Sequence, residues 1–214
     1  MHEQRELYEK LSPGYKGRCT APLLIDLKTK SIVSNESSDI VRMLNKVKLG
    51  RTNEDDDCID LYPEALASDI DETNEWVYNL LSNGVYRCGF STQQAAYDAA
   101  SKDVRSGLDR AEERLSKQPF LCGDQFTEAD LRLLPTVLRF DGAYSPYFRA
   151  GGVNRRIRDY PNLLKWLQRC WDMEGIKETI DLDDAVSSYY RQLFPLNPGA
   201  LIPTPITAEE IGLK

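Results

Sequence analysis

Glu36 and Ser37 stand where a β-branched run gives way to a helical pattern. A helix that begins straight after a strand aims free N–H groups and the positive end of its dipole at one spot. An acid and a hydroxyl there serve either as a helix cap, worth about 1 kcal/mol, or as an anion site open to a ligand. Five cysteines, Cys19, Cys58, Cys88, Cys122 and Cys170, supply thiols that could attack or exchange. Their number is odd and no two lie within three residues of each other. That excludes a disulfide framework and a C-x-x-C metal or redox pair, and it implies a reducing compartment. Cys19 reads as a small, buried or half-buried side chain. His2 is the only histidine, so a histidine-based triad and a multi-histidine metal site are excluded and no metal is expected.

The other polar candidates have bland readings beside the chemical ones. The chain has 11 tyrosines, so Tyr86, Tyr189 and Tyr190 read first as packed rings with satisfied hydroxyls. Arg155, Arg156 and Arg158 form the densest basic cluster, either a solvated face or a field that draws in an anion. Glu54 to Asp57 could hold a cation. The run lacks the alternating ligands and the glycine of a calcium loop, so it reads as a solvated acidic turn.

Positioning these residues falls to two kinds of element. Leu23, Leu24, Ile25 and Leu27 make a short apolar run after Pro22; Lys28-Thr29-Lys30 is a polar turn, and Ile32-Val33 is a second strand pattern. The helix that follows is capped by Asn35 or Ser37 and carries Ile40, Val41 and Leu44 on one face. Lys46 to Tyr62 reads as an exposed linker. Beyond it the pattern is helical: one helix from Pro63 to Asn83-Gly84, a second from Ser91-Thr92 to Lys117, and a third opened by the Thr127-x-x-Asp130 box. A fourth begins at Tyr160-Pro161, with Leu164, Leu167 and Trp171 inward, and a last one covers Leu182 to Phe194. Four prolines then bar regular structure from a closing tail expected to wrap the surface.

Composition closes off other classes. At 214 residues with 41% hydrophobic and 29% charged content, the chain suits one good core, or a domain and part of another. A net charge of −7 argues against a duplex-binding surface, so no nucleic acid is expected. No apolar window is long enough to span a membrane, and the N-terminus is too polar for a signal peptide.

The Thr20-Ala21-Pro22-Leu23-Leu24 strand, the turn and the Asn35-Glu36-Ser37-Ser38 helix start resemble the back half of the thioredoxin-like domain of a glutathione transferase. That resemblance implies a cis Pro22, an Ala21 backbone paired with the cysteinyl part of glutathione, and Glu36 and Ser37 on its γ-glutamyl end. Ser37 and its N–H would bind the α-carboxylate, with Glu36 facing the ammonium. The string Gly17-Arg18 through Asn45 is most similar to the xi class, the glutathionyl-hydroquinone reductases. Asn83-Gly84-Val85-Tyr86-Arg87, Leu138-Arg139-Phe140-Asp141, Asp159-Tyr160-Pro161-Asn162-Leu163 and Ser188-Tyr189-Tyr190 resemble that class too. In it, Tyr86 and either Tyr189 or Tyr190 would line an aromatic pocket and hydrogen-bond quinol oxygens; Ser188 stands where the class often has histidine.

The fold class implied is α/β plus all-α: a partial thioredoxin-like segment (1–46), a linker (47–62), an all-helical domain (63–195) and a tail (196–214). The function implied is glutathione-dependent reduction of glutathionyl-hydroquinones, with glutathione as cosubstrate, aromatic quinol conjugates as partners and a homodimer as the assembly. The cytoplasm is the expected location, or a plastid if a transit peptide is missing. No catalytic residue is assigned, because the family's β-α-β unit with its cysteine followed by proline does not precede Cys19. The chain as it stands is expected to lack efficient turnover. A non-catalytic, transferase-like interaction module is the competing expectation.

Overall fold

The computed structural model describes residues 2–47, 60–152, 155–192 and 196–213. The chain divides into two compact units, Met1–Tyr62 and Pro63–Lys214. The acidic run Glu54–Asp57, Cys58 and most of the expected 47–62 linker lie outside the described residues.

In the first unit α1 (His2–Leu11) precedes a two-stranded antiparallel hairpin, β1 (Leu24–Asp26) and β2 (Ser31–Ser34), and α2 (Ser37–Asn45) follows it. The turn has a local cause. Asp26 Oδ1 accepts the N–H groups of Lys28 (2.7 Å) and Thr29 (3.0 Å), and Lys30 closes the loop in the left-handed region at φ 52°. Ile25 pairs with Ile32, which fixes the register. The buried Tyr8 of α1 donates its hydroxyl to the Thr20 carbonyl at 2.7 Å, tying the helix to the stretch before the hairpin. At its far end α2 is held by Asn45, whose side chain bonds Asp60 Oδ1 and the Leu61 N–H, each at 2.9 Å. The expected apolar face of α2 is not core: Leu44 is 52% exposed, and no residue of the helix is buried.

The second unit is helical, and several boundaries differ from the sequence reading. Pro63 precedes a 3₁₀ turn that runs into α3 (Ala67–Trp76). The helical path does not stop at Asn83-Gly84. It widens into a π-helical segment, Val77–Ser82, and Gly84 begins α4 (Gly84–Phe90). The glycine that looks like a turn signal is instead a close-approach residue, since a Cβ there would sit 3.1 Å from Val104 Cγ2 of the next helix. That helix, α5 (Gln94–Leu115), has Gln93 at its N-cap rather than Ser91 or Thr92; Ser91 Oγ instead donates to the Arg87 carbonyl at the end of α4. Its buried apolar stripe is Ala100, Val104, Gly107, Leu108, Ala111 and Leu115.

α6 (Glu128–Arg139) starts at the expected capping box. Asp130, fully buried, accepts four hydrogen bonds: from Leu121 N (2.8 Å), Trp166 Nε1 (2.8 Å), Thr127 N (3.0 Å) and Thr127 Oγ1 (3.1 Å). One carboxylate thereby joins the start of α6, the preceding loop and α8 (Pro161–Trp171). α6 runs into a second π-helical segment, Phe140–Tyr144, and then into the short α7 (Ser145–Phe148). The inward face of α8 is Leu163, Trp166, Leu167 and Cys170, with Leu164 and Trp171 only half-buried. α9 (Leu182–Gln192) is the last helix described, and Phe194 lies outside the described residues. The tail has no regular helix or strand over its described residues, yet Ile211 and Leu213 are buried and Gln168 Nε2 holds the Gly212 carbonyl at 2.7 Å. Its end is packed into the unit rather than laid over it.

Candidate functional site

Each unit carries one cluster of the residues singled out in the sequence. In the first, the Ala21–Pro22 peptide is cis, the expected isomer. Ala21 and Pro22 are exposed, and Ala21 lies ahead of Leu24, where the β ladder begins. Sixteen or fewer residues further on, Glu36 takes the N-cap position of α2 and Ser37 its first turn. The expected capping side chains do other work. Asn35 Nδ2 turns back to the Arg18 carbonyl (3.2 Å), Tyr15 Oη (3.4 Å) and Thr20 Oγ1 (3.4 Å). Ser37 comes one residue too late to cap, and Ser34 Oγ accepts the Glu36 N–H at 3.1 Å. The Glu36 carboxylate and Ser37 hydroxyl are exposed and take no hydrogen-bond partner among the described residues.

The second cluster is aromatic. Tyr86 from α4, Tyr144 from the end of the second π-helical segment and Tyr189 from α9 bring their hydroxyls together. Tyr86–Tyr189 and Tyr144–Tyr189 are each 2.6 Å apart, and Tyr86–Tyr144 is 3.4 Å apart. Phe148 and Phe90 wall the group. Phe148 lies 5.5 Å from Tyr86 and 5.8 Å from Tyr189 between ring centres, and Phe90 stacks on Tyr86. Tyr144 is 3% exposed and Phe148 is fully buried, while Tyr86 and Tyr189 are half-buried and Phe90 is 51% exposed. Burial pushes the Tyr189 phenol up to about 12 and that of Tyr144 higher still, so both are neutral donors at neutral pH.

Two glycines let these rings meet. A Cβ on Gly89 of α4 would collide with the Phe148 ring, and one on Gly142 would lie 2.7 Å from Val186 Cγ2 of α9. Val186 is one turn before Tyr189, so the close seat of α9 on Gly142 delivers Tyr189 to Tyr144. Of the pair left open by the sequence, Tyr189 joins the cluster. Tyr190 packs on Tyr147 at 4.5 Å and its hydroxyl reaches the Gly142 carbonyl at 3.5 Å. Tyr144 is the member that sequence reading missed. It sits four residues past Phe140, and the π-helical segment turns it off the α-helical face that periodicity would assign. The nearest signal was the Leu138-Arg139-Phe140-Asp141 string just before it.

The basic cluster is hydrogen-bonded into the fold, with Arg155 and Arg156 half-buried and Arg158 exposed. Arg155 Nη1 donates to Tyr160 Oη (2.9 Å), Arg156 Nη1 to the Asp141 carbonyl (3.0 Å) and Arg158 Nη2 to the Glu210 carbonyl (3.5 Å). Asp141 is buried. Its Oδ1 accepts the Ile157 N–H at 3.0 Å, its Oδ2 has no partner among the described residues, and burial holds its carboxyl above the usual range against the pull of Arg156 and Arg158. The described cysteines are all free. Cys88, Cys122 and Cys170 are buried, and burial pushes each thiol up, Cys122 to about 11. Cys19 is half-buried in the irregular stretch before Pro22. No group of three or more candidate metal ligands occurs among the described residues.

The family profile described as the glutathione S-transferase, C-terminal domain matches residues 94–169. The crystal structure of the glutathione transferase Xi from Phanerochaete chrysosporium superposes with a TM-score of 0.89 at 40% identity, covering 99% of this chain and 71% of that one. The chain belongs to the xi class of glutathione transferases. Glutathione transferase Xi 1 from Trametes versicolor gives a TM-score of 0.87 at 41% identity, over 95% of this xi-class chain and 70% of that one. The glutathionyl-hydroquinone reductase YqjG of Escherichia coli is 42% identical over 199 residues, 92% of this chain and 58% of that protein. Its glutathione-bound structure matches with a TM-score of 0.87 over 95% of this chain and 65% of that one. This xi-class chain thus spans about three fifths of the curated relative it matches, and its fold is that of a glutathione transferase: a thioredoxin-like segment and a helical domain.

Proposed function

We propose that this chain serves the glutathione-dependent reduction of glutathionyl-hydroquinones. The observation that carries the reading is the convergence of the Tyr86 and Tyr189 hydroxyls in an aromatic-walled, half-buried setting that suits a quinol ring. In the first unit the exposed Glu36 and Ser37 at the start of α2, with the Ala21 and Pro22 backbone, supply donors, acceptors and a dipole for glutathione. The reaction is a thiol exchange. A thiolate attacks the glutathione sulfur, the new S–S bond forms as the sulfur–ring bond breaks, and the electron pair leaves with the quinol, which takes up a proton. A second glutathione thiolate then attacks the mixed disulfide, releasing glutathione disulfide and restoring the first thiolate. The free cysteines fit a reducing compartment, with the cytoplasm as the proposed location and a homodimer as the assembly.

One observation favours a second reading, a non-catalytic module: no described cysteine sits exposed at a helix start, where a thiolate is stabilised. Calorimetry with glutathione on the chain and on Glu36→Ala/Ser37→Ala tests both. Micromolar-to-millimolar binding that the double variant loses is the expected result. A folded parent that binds no glutathione removes the reductase reading and leaves the module.

A further inference from the structure

The helical unit has a cavity of about 620 Å³ between the end of α8, the turn after it, the start of α9 and the tail. Its size is that of a small-molecule site. Trp171, Ile180 and Ile206 give it apolar walls, and Glu178, Asp181 and Asp183 add three carboxyl groups; no lysine, arginine or histidine lines it. Hydrogen bonds hold these walls in place. Thr179 Oγ1 donates to the Ile176 carbonyl (2.8 Å) and the Ile180 N–H to the Lys177 carbonyl (3.1 Å), which shapes the turn. On the tail side Glu210 Oε2 accepts the Thr207 N–H at 2.8 Å, and Thr207 Oγ1 accepts the Glu210 N–H at 3.2 Å. The buried Ile211 and Leu213 anchor that segment. A site held in this way needs little ordering when a ligand enters.

The acids on these walls select the ligand. Asp181 is engaged, since its Oδ1 accepts the Asp184 N–H at 2.9 Å and caps α9. Glu178 and Asp183 are exposed and take no hydrogen-bond or ion-pair partner among the described residues. A helix start accounts for acids at Asp181 and Asp183, but not for Glu178 in the preceding turn, nor for the cavity they share. Trp171 already accepts a cation. Lys177 Nζ stands 5.8 Å from the centre of its ring and 3.1 Å from Asp172 Oδ1, an ammonium held jointly by an aromatic ring and a carboxylate. The same two kinds of group recur on the cavity wall, and Trp171 ends α8, where the helix dipole favours positive charge. We propose that this cavity binds an organic cation, an amine or amidine on an apolar body. The charged head sits at Glu178 and Asp183 and the apolar part lies against Trp171 and Ile206. Glutathione carries two carboxylates and a quinol carries no charge, so neither suits it, and none of the residues assigned to them lines it.

The probes are phenethylamine, 2-phenylethanol and phenylacetate, a cation, a neutral molecule and an anion of similar size, each titrated calorimetrically into the 214-residue chain. The amine is expected to bind at least roughly fivefold more tightly than the alcohol, the scale of two exposed charge pairs and a ring contact. High salt should shrink that margin, and phenylacetate should bind more weakly than either. Glu178→Gln/Asp183→Asn should bring the amine within about twofold of the alcohol, because only the charge pairs are removed. An unchanged melting midpoint of this variant shows that the walls are intact. Trp171→Leu should weaken amine and alcohol together, whereas Tyr189→Phe, at the aromatic cluster, should alter neither. Equal binding of amine and alcohol by the wild type, or no saturable binding of the amine, overturns the cation site. So does an amine affinity that the double variant leaves unchanged. Amine binding that Tyr189→Phe abolishes belongs to the aromatic cluster and overturns the proposal as well.

Discussion

The two candidate sites are built in opposite ways. In the first unit, Ala21 and Pro22 just before one hairpin and Glu36 and Ser37 just after it make up the site, and what they offer is mostly backbone and exposed polar atoms. In the second, Tyr86, Tyr144 and Tyr189 come from three helical elements and are separated by 58 and 45 residues along the chain. Their geometry depends on two π-helical segments, two close-packed glycines and a sealed phenylalanine. A site of the first kind is written in local turn chemistry and does not depend on how the helices are spaced. A site of the second kind exists only while the helices keep their spacing.

The sharpest way to break that contrast is to push the helices apart. Gly142→Ala places a methyl 2.7 Å from Val186 and 2.9 Å from Ile206. It should cost about 1–3 kcal/mol, measured as a lower melting midpoint, and should displace Tyr189 so that binding of a quinol falls while glutathione binding does not.

A smaller effect should come from Asp141, in the same π-helical segment. Burial raises its folded carboxyl above the unfolded value, so the folded state holds the proton more tightly. Its stabilising contribution is complete below the ordinary carboxylate range and is lost as pH rises through the folded value. Thermal melts of Asp141→Asn, which keeps an acceptor for the Ile157 N–H, should lack that loss. A parallel pH dependence in wild type and variant would show that the buried carboxyl is not its source.

The smallest effect on stability belongs to the first site. Glu36→Ala and Ser37→Ala remove exposed groups without partners among the described residues, so each should move the melting midpoint by no more than about 0.5 kcal/mol even where glutathione binding is lost. A large loss of stability would mean that these side chains hold α2 in place.

The contrast also explains what could be read from the sequence. The hairpin, its turn, the start of α2, the Thr127–Asp130 box and the start of α8 all follow from residues within a few positions of one another. Tyr86 and Tyr189 came from resemblance, not from periodicity. Tyr144, and the choice of Tyr189 over Tyr190, depend on how α9 seats on Gly142, which no local pattern encodes. The helix predicted to stop at Gly84 continues because tertiary packing uses that glycine for contact with α5. The hydrogen bonds of the arginine cluster were not legible because its partners, Asp141, Tyr160 and Glu210, include residues far along the chain.

A π-helical turn holds one residue more than an α-helix would need for the same span. The two among the described residues lie just upstream of Tyr86 and directly at Tyr144. Shortening either by a single residue would let the helix relax to regular winding, and the local backbone would lose nothing by it. The same deletion within a regular helix such as α5 would rotate every side chain beyond it by about 100° relative to those before. Along these two stretches a one-residue deletion should therefore be better tolerated than the same deletion in α5.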